Sequence, residues 1–172
     1  MAYNNDDFSR LEINLAGCLD NYKYFRSKLE DSTKLLVLVK ANAYGHGAVE
    51  FASVMEEAGA DYMAVAYPVE GIELRQGGIK SPIMVLTAGT DFFNEIIDND
   101  LEPGIPNLYS LKALCDVLQE RGVTDFPIHI KLDTGMSRLG FDCRNSALSG
   151  IKDAITAAKL ENLELEGIFT HF

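Results

Sequence analysis

The chain has 172 residues, 47% of them hydrophobic and 24% charged, which is the size of one domain with enough apolar material for a core. A net charge of −11 argues against nucleic acid and anionic membrane as partners, since both need basic patches, and no apolar run is long enough to span a bilayer. Cys18, Cys115 and Cys143 are odd in number and widely spaced, so no metal site is expected and the thiols are read as reduced, in a cytoplasmic protein.

Residues 1–9, MAYNNDDFS, lack the basic and apolar regions of a signal peptide and read as a polar tail. LEINL then leads into an amphipathic helix over about 16–30. The apolar run LLVLV at 35–39 reads as a strand that ends on Lys40, followed by the loop ANAYGHG and a helix near 47–58. YMAVA at 62–66 is a second strand. The next helix spans 68–76, because Pro68 suits a first helical position and Gly77-Gly78 suits a stop. PIMVLT at 82–87, a helix near 91–99, and the short, proline-edged LEPGIP at 101–106 come next. A helix over 107–121 precedes the strand PIHIKLD at 127–133. A helix near 146–159 and the strand LEGIFTHF complete the pattern.

Such alternation predicts parallel strands joined by right-handed crossovers, in either a doubly wound sheet or a (β/α) barrel. Neither GxGxxG after a strand nor a P-loop is present. PIHIKLD adds a second criterion. Its alternation puts His129, Lys131 and Asp133 on one face and Ile128, Ile130 and Leu132 on the other, whereas a parallel strand covered on both sides is apolar throughout. A barrel interior accommodates the polar set if its members are paired; an edge strand with one wet face is the competing reading. The fold class expected is α/β, of (β/α)8 TIM-barrel type. A whole barrel takes roughly 200–250 residues, so residues 10–172 are read as a partial barrel truncated to about six βα units, with no linker or repeat.

In parallel barrels the chemistry sits at the C-terminal ends of the strands. Lys40, Arg138 and His171 all fall there, on three separated segments. Two readings are open for Lys40: a snorkelling surface amine, or a Schiff-base lysine whose desolvation frees the amine as nucleophile and base. The glycines of ANAYGHG permit close backbone approach, and Tyr44 offers a hydroxyl to an anion. His46 reads as a surface loop residue, and Asp133 to Gly135 as an ordinary strand-to-turn exit. Arg138 is a permanent cation at the mouth or an exposed arginine with a surface acid. Lys131 faces inward and needs an anionic partner or a modification. His171 is a core histidine or part of a site.

VKANAYGHG, HIKLDTGMSRLGF and GIFTHF, in this order and spacing, resemble the bacterial alanine racemases, from about Leu11 to Phe172. That resemblance implies a pyridoxal 5'-phosphate enzyme with an N-terminal barrel, a mostly β C-terminal domain that is absent here, and a head-to-tail homodimer. Lys40 would hold the cofactor and act as the base on the D side. Tyr44 would bind the phosphate. Arg138 would contact the cofactor's phenolic oxygen and the substrate carboxylate. His171 would pack on the pyridine ring, and Lys131 would be the lysine often carbamylated in the family. The implied reaction interconverts L- and D-alanine for cell-wall peptidoglycan. The second base, a tyrosine of the other subunit, would lie outside this chain, which alone is expected to be inactive or weakly active and to form a homodimer, a swapped oligomer or aggregates. A non-catalytic pyridoxal-phosphate homeostasis barrel and a racemase for serine or other amino acids are the alternatives.

Overall fold

In the computed structural model, which describes residues 11–144, 149–160 and 162–172, the strands lie side by side in the order in which the chain visits them. Residues 1–9 and the expected helix start at 146–148 lie outside the described residues. Helix α1 (Leu15–Arg26) is capped by Asn14, whose side chain accepts the Gly17 N–H. It stops four residues short of its expected end at 30, where the Arg26 guanidinium turns to the carbonyls of Glu30 and Thr33. There follow β1 (Leu36–Leu38), a helical turn α2 (Lys40–Gly45), α3 (Ala48–Glu57), β2 (Tyr62–Val65) and α4 (Pro68–Gln76). Next are β3 (Ile83–Val85), a 3-10 turn (Thr90–Phe92), α5 (Phe93–Asp98), β4 (Glu102–Ile105) and α6 (Leu108–Arg121). The last elements are β5 (Phe126–Asp133), the two-residue β6 (Phe141–Asp142), α7 (Ser149–Ala157) and β7 (Leu163–Thr170).

All pairings are parallel, β1 to β5 are neighbours in sequence order, and β7 lies on the far side of β5 from β4. The order never reverses. A doubly wound sheet must reverse at its switch point, so the arrangement is that of a (β/α) barrel, as expected. β6 pairs with Leu132 and Asp133, where β4 has already ended.

Alternation along the strands sorts two layers. Met63, Val65, Ile83, Val85, Ile105, Ile128 and Ile130 are buried, and so are Met55, Leu74, Phe93, Ile96, Leu114 and Leu118 from the helices. Each such side chain contributes about 1.5–3 kcal/mol by leaving water. The opposite face carries Glu102, His129, Lys131 and Asp133, all buried.

LEPGIP holds the expected short fourth strand, which is buried between β3 and β5. Pro103 is tolerated there because β4 does not begin to pair with β5 until Gly104. β5 is flanked by β4 and β7, which overturns the wet-edge reading of PIHIKLD.

Candidate active site

Beyond Leu38 the chain leaves the sheet through one more ladder bond, from the Val39 N–H to the Ala64 carbonyl at 2.8 Å. It then winds left-handed. Ala41, Asn42, Ala43 and Tyr44 all have φ between 50° and 54°, although an L-residue costs about 1–2 kcal/mol in this conformation. Only Gly45 and Gly47, at φ 90° and 88°, occupy positive φ without that cost. ANAYGHG is thus a wound and cross-tied turn, where the sequence suggested a loose loop. The Ala43 N–H reaches Val39 O at 2.9 Å, Asn42 Oδ1 accepts the Ala48 N–H at 2.7 Å, and Glu70 Oε1 accepts the Ala41 N–H at 2.6 Å.

This turn sets Lys40 on the rim of a cavity of about 310 Å³, lined also by Tyr67, Lys131, Arg138, Phe169 and His171, at the lower end of the range for small-ligand sites. Four of the five residues singled out in the sequence, Lys40, Lys131, Arg138 and His171, therefore meet in one space, supplied by the start of α2, by β5, by the loop after β5 and by the segment just after β7. Tyr44 does not line it. Its ring centroid is 5.9 Å from Lys40 Nζ, and the residue borders a larger apolar cleft of about 400 Å³ beside α1. Neither lysine nor arginine is among the described residues that line that cleft. His46 borders the apolar cleft as well and is exposed, as expected of a surface loop residue.

Charge around the cavity is one-sided. Among the described residues no carboxylate lines it. Lys131 is 5% exposed, and its Nζ is 5.5 Å from the Phe169 ring centroid. Burial pushes its amine below the ordinary lysine range, and the positive charges of Arg138 and Lys40 push in the same direction. Arg138 is exposed and makes no ion pair among the described residues. Such a site fits a ligand that carries negative charge.

The loop bearing Arg138 is wound on Asp133, whose Oδ1 accepts the N–H groups of Gly135 (3.1 Å) and Ser137 (2.9 Å). Those bonds hold the Asp133 carboxyl below its usual range. Arg144 closes the loop by bonding the Ser137 hydroxyl and Asp142, and the Thr134 hydroxyl meets that of Thr170 at 2.7 Å. One strand layer below Lys131, His129 Nε2 meets Glu102 Oε2 at 2.7 Å, with the Tyr62 ring edge-on to the imidazole. Tyr62, pushed up to about 12 by burial and then by the charges of Glu102 and Glu166, was not singled out in the sequence, nor were Glu70, Tyr67 and Phe169. Only Glu70 had a legible signal, the capping-box spacing after Tyr67-Pro68.

Residues 13–172 match the family described as "Alanine racemase, N-terminal domain". The chain belongs to the alanine racemase family. It is 40% identical over 162 residues to the alanine racemase of Methanococcus maripaludis, covering 94% of this chain and 42% of that protein. To alanine racemase 2 of Caldanaerobacter subterraneus it is 37% identical over 165 residues, covering 95% and 42%. The alanine racemase of Clostridium difficile 630 in complex with cycloserine superposes with a TM-score of 0.82 at 38% identity, over 90% of this chain and 42% of that one. The chain thus spans about two fifths of the length of these relatives. The barrel-type α/β fold agrees with that of the alanine racemases of known structure.

Proposed function

We propose that the chain forms the cofactor-holding part of an alanine racemase, an isomerase that interconverts L- and D-alanine with pyridoxal 5'-phosphate. The observation that carries this reading is the convergence of Lys40, Lys131, Arg138 and His171 on one cavity without a carboxylate. A phosphorylated, anionic cofactor with an aldehyde fits that donor set: the cations would answer its charge, and Lys40 would hold it through its amine. When bound, the cofactor supplies the electron sink that lowers the cost of removing a proton from the substrate Cα.

The residues of this chain divide the remaining work. Lys40 Nζ anchors the cofactor and moves the Cα proton on one face of the substrate. Tyr44, whose ring lies beside that amine but outside the cavity lining, would give its hydroxyl to the phosphate only once turned from the apolar cleft toward the cavity. Arg138 would attract the cofactor's phenolic oxygen and position the substrate carboxylate, as a guanidinium does by paired N–H donors. His171 would pack on the cofactor ring. Where CO2 is available, Lys131 is open to carbamylation. Its depressed pKa leaves more of the amine neutral, the nitrogen bonds the carbon of CO2, an N–H proton leaves to solvent, and the resulting anion sits beside Arg138.

Racemisation needs a second proton carrier on the opposite face, and we assign it to a subunit or domain outside residues 1–172. A homodimer would supply it. A cytoplasmic location agrees with the free thiols of Cys18, Cys115 and Cys143, and among the described residues no helix is long and apolar enough to cross a membrane. Such an enzyme would provide D-alanine for peptidoglycan.

Borohydride trapping after incubation with pyridoxal phosphate tests the anchor. The label is expected on the peptide containing Lys40 and is lost in Lys40→Ala; equal labelling of that variant overturns the assignment. Enantiomer exchange of alanine by the 172-residue chain is expected to be absent or weak, and turnover like that of a complete racemase would refute the division of bases.

A further inference from the structure

The left-handed turn carries the lysine, yet nothing in its composition selects it: two alanines and a tyrosine stand in it beside Asn42. Something outside must over-determine the conformation. The Ala41 N–H lies in the first turn, where an amide has no acceptor within the turn itself. Glu70 provides that acceptor from 29 residues away. Its other oxygen accepts the N–H groups of Ala66 (2.7 Å) and Tyr67 (3.0 Å) at the start of α4. Lys40 is therefore bracketed. The amide before it bonds Ala64, the amide after it bonds Glu70, and both acceptors belong to the β2–α4 segment.

We infer that Glu70 is a positioning residue for Lys40: its carboxylate locks the left-handed turn to the head of α4 and thereby sets where the Lys40 amine stands at the cavity. The inference rests on the reading of Lys40 as the cofactor lysine. A carboxylate suits the task because all three partners are donors. A carboxamide would turn its NH2 on one of them. An aspartate, one methylene shorter, keeps an acidic group for the local N–H groups of α4 but falls short of Ala41.

Glu70→Asp and Glu70→Gln are compared with the parent chain by three readouts: amide hydrogen exchange, borohydride-trapped pyridoxal phosphate at Lys40, and acetylation of Lys40 by acetic anhydride scored against the exposed Lys112. In Glu70→Asp, amides of 41–47 are expected to exchange at least tenfold faster with α4 protection retained. Trapping at Lys40 is expected to fall at least fivefold, and its acetylation relative to Lys112 to change at least threefold. In Glu70→Gln, α4 loses protection as well. Parent-like exchange over 41–47 in both variants overturns the inference, as does a loosened turn with unchanged trapping and acetylation. The parent chain gives a check independent of any variant's folding: the Ala41 amide, on an exposed residue, must be protected, and exchange at the free-peptide rate refutes the clamp. Lys40→Ala, run in parallel, separates the two readings, since undiminished trapping there sinks the role of Lys40 whatever Glu70 does.

Discussion

His129 and Glu102 join adjacent strands through a 2.7 Å contact inside the sheet's polar face, and Tyr62 closes over them. Deleting one partner strands the other in a dry place. Glu102→Ala is expected to cost roughly 2–3 kcal/mol in urea denaturation, with Glu102→Gln, which keeps an oxygen, costing less. The same cluster gives a pH limit. The folded Tyr62 keeps its proton to about 12, above the ordinary phenol near 10. The unfolded chain therefore loses that proton first, and stability falls as pH rises from about 10 to about 12. In Tyr62→Phe this part of the fall should vanish.

Lys131 has the opposite sign. Its folded pKa lies below the ordinary lysine value, so the charged amine penalises folding. The penalty is fully present below the folded pKa and is relieved as pH rises through it toward the unfolded value. Lys131→Met should therefore stabilise the ligand-free chain, kept free of CO2 so that the amine is unmodified, by about 1 kcal/mol at pH 7, within the range seen when buried charges give way to apolar side chains. The advantage should shrink toward pH 10 in melting curves taken across that interval.

Lys40, Lys131 and Arg138 around one cavity with no acid among its lining residues should make the chain a binder of inorganic phosphate. At a hundred times the dissociation constant, binding to the folded state adds about 2.7 kcal/mol. Melting temperature is expected to rise saturably with phosphate, and not with chloride at matched ionic strength. Arg138→Ala should flatten the response.

Gly140 leaves no space for a side chain. Its φ is 133°, and a Cβ there would stand 2.6 Å from the Asp133 nitrogen and from the Leu132 carbonyl carbon. Gly140→Ala must displace backbone, so a loss of about 3 kcal/mol or more is expected. Because the loop it closes bears Arg138, phosphate stabilisation should fall with it.

The strand–helix rhythm was readable because each element has a local cause. Pro68 and Gly77 bound α4 at the expected residues, and the alternation in PIHIKLD placed His129, Lys131 and Asp133 on one buried face. What escaped has distant causes. Nothing in Ala41 or Tyr44 favours positive φ; the conformation depends on a carboxylate in the next βα unit. Glu102 was not singled out, because its partner lies 27 residues on. Lys40, Lys131, Arg138 and His171 could be placed on one rim from strand ends alone, but Tyr44, one turn beyond Lys40, faces another cleft, since a left-handed turn sends its side chains where a right-handed one would not.

Among the described residues β1 pairs with β2 alone. The backbone on both sides of Lys40 is thus tied to the β2–α4 segment, through Ala64 and Glu70. A substitution in the β2–α4 segment, remote in sequence and touching no ligand, would therefore be felt at the amine.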